Sequence, residues 1–90
     1  MIEHTLPITL KLTGKKGLDP HVAAEFAMIA SHFEGEITVA CHGRTANAKA
    51  VTEVMSLSAE HNDLVELHAE GKYAQQAVNA LIAVIQKNSL

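Results

Sequence analysis

Hydrophobic and polar positions alternate in some stretches of this chain and repeat at helical spacing in others. Leu6, Ile8, Leu10 and Leu12 alternate with Pro7, Thr9, Lys11 and Thr13, the period of two that puts every second side chain on one face of a strand. Proline has no N–H to donate to a ladder, so Pro7 fits only an early or edge position in that strand. Glu36 to Cys41 alternates again, with Ile37, Val39 and Cys41 on one face. His42-Gly43 then reads as a tight turn into a short strand near Arg44 to Ala46. A further run sets Val65, Leu67 and Ala69 against Glu66, His68 and Glu70, and Gly71 permits a turn after it.

Helical spacing fills the remainder. Val22, Phe26, Ile29 and Phe33, thickened by Ala23, Ala27 and Ala30, line one face of an amphipathic helix that Glu34-Gly35 ends. Asn47 is a candidate cap for a short second helix with Val51, Val54, Met55 and Leu57 or Ser58 as its apolar positions. From Tyr73 to Lys87, the positions Ala74, Ala77, Val78, Leu81, Ile82 and Ile85 mark a final helix. Gly14-Lys15-Lys16-Gly17 and Ala59 to Asp63 read as loops. The order is β-α-β-β-α-β-α. Each strand has one apolar face, which favours an antiparallel sheet with the helices stacked on one side, an α+β fold.

Ninety residues, 48% of them hydrophobic, have room for a single core, so one domain over 1–90 is expected. That core is aliphatic, because the chain has no Trp, one Tyr and two Phe. A formal charge of −3, with seven scattered Lys and Arg residues, argues against a nucleic-acid partner, whose phosphates need concentrated cations and whose bases need aromatic platforms. No basic segment followed by an apolar one opens the chain, and no apolar run approaches a membrane span. Export and membrane insertion are therefore not expected. The single cysteine, Cys41, excludes an internal disulfide and fits a reducing cytoplasm. It falls in the Ile37, Val39 series and reads as a small core residue. His4, His32, His42, His61 and His68 include no pair at the spacing of a helical zinc site. Cys41 and His42 are neighbours whose side chains point opposite ways in a strand. No metal and no cofactor is expected.

Candidate chemistry gathers at Gly17-Leu18-Asp19-Pro20-His21-Val22-Ala23-Ala24-Glu25-Phe26. Asp19-Pro20 is a helix-start signal: the carboxylate accepts free backbone N–H groups, and proline suits the first helical position. Such a helix end attracts phosphate. This decapeptide resembles the active-site loop of the HPr family, the histidine-containing phosphocarriers of the bacterial sugar phosphotransferase system. Their loop reads Gly-(Leu or Ile)-His-x-Arg-Pro-Ala, and the histidine carries the phosphoryl group. Gly17, Leu18 and Ala23 match, while Asp19 stands in the histidine's place, His21 in the arginine's and Val22 in the proline's. Glu36-Ile37-Thr38-Val39, the run Gly43 to Ala50, Val54-Met55-Ser56-Leu57 and Ala77 to Leu81 extend the likeness over nearly the whole chain. The resemblance implies a two-layer open-faced sandwich, a four-stranded antiparallel sheet of order 1-4-2-3 with three helices on one face.

It also implies a carrier or regulator rather than a turnover enzyme, with enzyme I, enzyme IIA-type proteins or a regulatory protein as partners and a monomeric, cytoplasmic state. Docking positions carried over from the family are Pro20, Ala24, Met28, Lys49, Val51, Thr52 and Met55. Met28 and Ser31 stand where enteric members have lysines, which weakens the basic rim of that surface. Ala50 occupies the place of a serine phosphorylated by a kinase in many Gram-positive members, and it has no hydroxyl.

Phosphoryl shuttling needs an exposed nucleophile partly deprotonated near neutral pH, a demand that imidazole meets. Asp19 reads first as a cap worth about 1 kcal/mol, second as a fixed negative charge and last as an acyl-phosphate acceptor. His21 lies on the first helical turn, where the dipole favours a neutral ring. Its ordinary role is a solvated surface residue, and its alternative role is a relocated acceptor. The preferred function is thus a regulatory or binding variant of the family. An active carrier using His21 or Asp19 is the alternative.

Overall fold

A computed structural model describes residues 3–89. Its elements are β1 (Glu3–His4), β2 (Ile8–Lys11), α1 (Pro20–Ala30), β3 (Ile37–Cys41), β4 (Arg44–Asn47), α2 (Val51–Ser56), β5 (Leu64–Gly71) and α3 (Ala74–Lys87). All pairings are antiparallel: β5 takes β1 and β2 on one side and β3 on the other, and β3 pairs with β4. With β1 and β2 counted as two pieces of one edge strand, the sheet is four-stranded in the order 1-4-2-3. Ile8 faces Leu67, Leu67 faces Val39 and Val39 faces Ala46, so one apolar row crosses all four strands. The helices cover that face. Phe26, Ile37, Leu67, Leu81, Val39, Val54, Val65 and Val78 are its largest fully buried side chains.

The N-terminal strand departs from simple alternation. Leu6, read as inward, is 85% exposed, whereas Thr5 is buried. Pro7 cannot donate, and the strand breaks around it. Thr5 closes the break, its N–H donating to Ala69 O at 2.8 Å while its Oγ1 accepts the Ala69 N–H at 3.0 Å. Two adjacent residues then face outward before Ile8, Leu10 and Leu12 return to the core side.

Helix α1 also stops earlier than Glu34. Ser31 closes it, with Oγ donating to Ala27 O at 2.8 Å. His32 and Phe33 bond three residues back, to Ile29 O and Ala30 O, in a tightened last turn. Phe33 still packs against the core from beyond the helix end. Val84, absent from the predicted stripe of α3, is buried with the rest of that face.

At the hairpin tip both His42 (φ 55) and Gly43 (φ 76) take left-handed backbone, the pattern of a two-residue turn between strands. The expected divergence of the Cys41 and His42 side chains therefore fails. His42 leaves the strand geometry at this point, and its Nε2 lies 2.9 Å from Asp63 Oδ2.

Candidate functional site

The loop before α1 is placed by its backbone. Gly17 donates to Gly14 O at 3.2 Å with φ +57, and a Cβ there would stand 2.4 Å from Ala59 O, so a side chain meets both backbone strain and collision. Leu18 buries its side chain and donates its N–H to Ala59 O at 2.9 Å, which ties this loop to the segment after α2. Asp19 follows in extended conformation. Its Oδ1 accepts the Val22 N–H at 2.9 Å, its carbonyl accepts the Ala23 N–H at 2.8 Å, and Pro20 is the first helical residue. The cap read from the sequence is thus formed.

Asp19 and His21 share a cleft of about 350 Å³ with Lys15, Lys16, Gly17, Val22, Lys87 and Asn88. His21 is exposed on the first turn. Three of the seven Lys and Arg residues line this one cleft, so the cations are less scattered than the linear sequence implies. Lys15 and Lys16 were legible as a basic loop directly before the cap. Lys87 and Asn88 arrive from the other end of the chain, and no local pattern announces them.

That distant end is fastened to α1 through Glu25. Lys87 Nζ donates to Glu25 Oε2, and Asn88 Nδ2 donates to Glu25 Oε1 at 3.3 Å and to Val84 O at 2.8 Å. The Lys87 hydrogen bond holds the Glu25 carboxyl below its ordinary value, against the opposite pull of partial burial. From the cleft, a second groove of about 380 Å³ runs along α1 between His21, Ala24, Glu25, Met28 and Lys87.

The family-derived docking positions fall on the two adjacent helices. On α1, Pro20 and Ala24 are exposed and Met28 is 56% exposed; on α2, Thr52 is exposed, Met55 is 40% exposed and Val51 is partly so. Lys49 lies just before α2, half-buried. Helices α1 and α2 pack against each other, and the exposed apolar pairs Ala24–Met28 and Val51–Met55 each sit one turn apart.

Asn47 does not cap α2. It is the last residue of β4, and its Oδ1 accepts the Lys49 N–H at 3.0 Å, a local side-chain turn of the kind asparagine favours. The cap position belongs to Ala50, which offers no side-chain bond. Compensation comes from Glu53, whose Oε1 accepts the Asn47 N–H at 3.1 Å.

A four-stranded open-faced sandwich presenting a capped, lysine-flanked helix entrance beside an exposed apolar helix pair belongs to the class of small phosphocarrier modules. A family profile described as "PTS HPr component phosphorylation site" matches residues 7–87. The phosphocarrier protein HPr of Vibrio cholerae is 32% identical over 78 residues, covering 87% of this chain and 92% of the relative. The HPr-like protein Crh of Halalkalibacterium halodurans is 36% identical over 87 residues, covering 97% and 99%. The crystal structure of HPr-C-His from Thermoanaerobacter tengcongensis superposes with a TM-score of 0.88 at 32% identity, covering 94% of this chain and 96% of that one. The chain belongs to the HPr phosphocarrier family. Among the described residues, no helix is long and apolar enough to cross a membrane.

Proposed function

We propose that this chain is a regulatory or binding variant of the HPr family, acting as one cytoplasmic unit that docks on enzyme I, an enzyme IIA-type protein or a regulatory protein without carrying phosphate at residue 19. The observation behind this reading is the 2.9 Å bond from the Val22 N–H to Asp19 Oδ1. That bond ties the residue 19 carboxylate to the backbone of α1 as a helix cap instead of leaving it free as a nucleophile. The family's loop has proline where Val22 stands, and proline has no N–H. Asp19 and Val22 thus work as a pair, the second supplying the donor that the first uses. Lacking a hydroxyl, Ala50 leaves a kinase nothing to modify at residue 50.

Docking would use the exposed Ala24, Met28 and Met55 and the partly exposed Val51, with Lys49 at their rim. Loss of basic rim residues slows or redirects an encounter more than it removes an apolar contact. Short edges support a monomer: one is broken into β1 and β2, of two and four residues, and the other is the mostly exposed run Arg44–Asn47. Incubation with enzyme I and phosphoenolpyruvate is expected to leave the protein without stable label, and stoichiometric labelling would overturn the proposal.

A second reading draws on the cleft. Lys15, Lys16 and Lys87 line the cleft that also holds His21, offering cations where the family uses a guanidinium, so His21 is the acceptor to test if label appears. Phosphohistidine withstands hydroxylamine and an acyl phosphate does not. Retention of label after His21→Ala would end the histidine version.

A further inference from the structure

The tip of the β3–β4 hairpin and the loop entering β5 bring together a thiol, an imidazole and a carboxylate. Cys41 Sγ, a His42 ring nitrogen and an Asp63 carboxylate oxygen all lie within 4.8 Å of one another. Three features hold them there. Left-handed backbone at His42 takes its ring out of the alternation that would point it away from Cys41. Leu12 donates its N–H to Asp63 O at 2.9 Å and accepts that of Asn62 at 2.7 Å, fixing the Asp63 backbone beside the end of β2. The Glu60 N–H donates to Asp63 Oδ2 at 2.7 Å and orients the carboxylate toward His42.

Sulfur, imidazole nitrogen and carboxylate oxygen form a borderline-soft donor set that suits Zn²⁺ or Co²⁺ rather than Mg²⁺ or Ca²⁺. Bonds of about 2.0–2.3 Å to a tetrahedral ion place its donors roughly 3.3–3.8 Å apart, so His42 and Asp63, now 2.9 Å apart, would exchange their hydrogen bond for the ion and open slightly while any wider gap in the cluster closes. Room for that adjustment lies at His42, whose side chain is 55% exposed, and Asp63 is itself 24% exposed. The Glu60 N–H would be the outer partner that metal-bound carboxylates usually have. Burial and the neighbouring Asp63 charge both raise the Cys41 thiol. A divalent ion between the two groups turns their repulsion into two attractions and displaces the thiol proton.

We propose that Cys41, His42 and Asp63 form a binding site for a zinc-type divalent ion, with water in the fourth position. Titration of reduced, tag-free protein with Co²⁺ tests it. The expected result is one equivalent bound with a sulfur-to-cobalt charge-transfer band in the near ultraviolet, displaced by Zn²⁺. Cys41→Ser should abolish the band. His42→Ala and Asp63→Asn should each weaken binding by at least about tenfold, the loss that removing even an outer partner can cause. Since Cys41 is a core residue, His42→Ala at the exposed tip separates ligand loss from misfolding, with circular dichroism as the check on fold. No binding, binding without the charge-transfer band, or unchanged affinity in folded His42→Ala would overturn the site.

Discussion

The N-termini of α1 and α2 are built in opposite ways. Helix α1 runs for 11 residues, opens with proline and is closed by the Asp19 carboxylate on the Val22 N–H. Helix α2 runs for six, starts at Ala50 without a side-chain bond, and is steadied from inside by Glu53 reaching back to Asn47 N. On the reading proposed above, both starts correspond to the family's modification positions, with Asp19 and Ala50 standing where the usual groups would be. One entrance carries a carboxylate at its cap, while the other has at its cap an alanine with neither charge nor hydroxyl. A helix entrance is therefore only a potential anion site, and the side chain at its cap decides whether that potential is already spent.

The backbone geometry at the α1 entrance is the first thing to break. Gly17→Val would place a β-branched side chain at φ +57 and into the Ala59 backbone, so a loss of about 3 kcal/mol is expected in chemical denaturation. Asp19→Ala removes the cap alone and should cost about 1 kcal/mol in the same measurement. Asp19→His sharpens the contrast. Paired with Val22→Pro, it is expected to give a protein labelled by enzyme I and phosphoenolpyruvate where the parent is not.

At the α2 entrance the sign reverses. Ala50→Ser gives that helix a hydroxyl cap and should raise stability by about 0.5–1 kcal/mol, read from the denaturation midpoint. Glu25→Gln is expected to have the smallest effect, under about 1 kcal/mol at neutral pH, because the pair with Lys87 lies at the surface. Its signature is the pH dependence. The Glu25 carboxyl is lowered in the folded protein, so its contribution is complete above the ordinary carboxylate range and is lost as pH falls through the folded value. The variant should flatten that part of the acid limb.

Much of the fold was legible because burial imposes a period. Val39, Leu67 and Ala69 could be placed inward from alternation alone, and the stripe of α3 followed from its spacing. Misreadings fell where a local group outcompeted the period. Thr5 replaced Leu6 on the core side because Pro7 interrupts the ladder, and Asn47 used its amide for a turn while its backbone stayed in β4. At the site, Asp19 announced its role through the proline beside it. Lys87 and Asn88 could not be foreseen, since only the docking of α3 on α1 brings them to the loop. Cys41 and His42 looked divergent until the turn set the backbone sign at His42.

The lysines around the α1 entrance also provide a reporter. Lys15, Lys16 and Lys87 line the same cleft, so amine-reactive footprinting reads occupancy there without any engineered probe. Shielding of those three during complex formation, with Lys72 beside Tyr73 as an internal standard, would map where a binding protein sits.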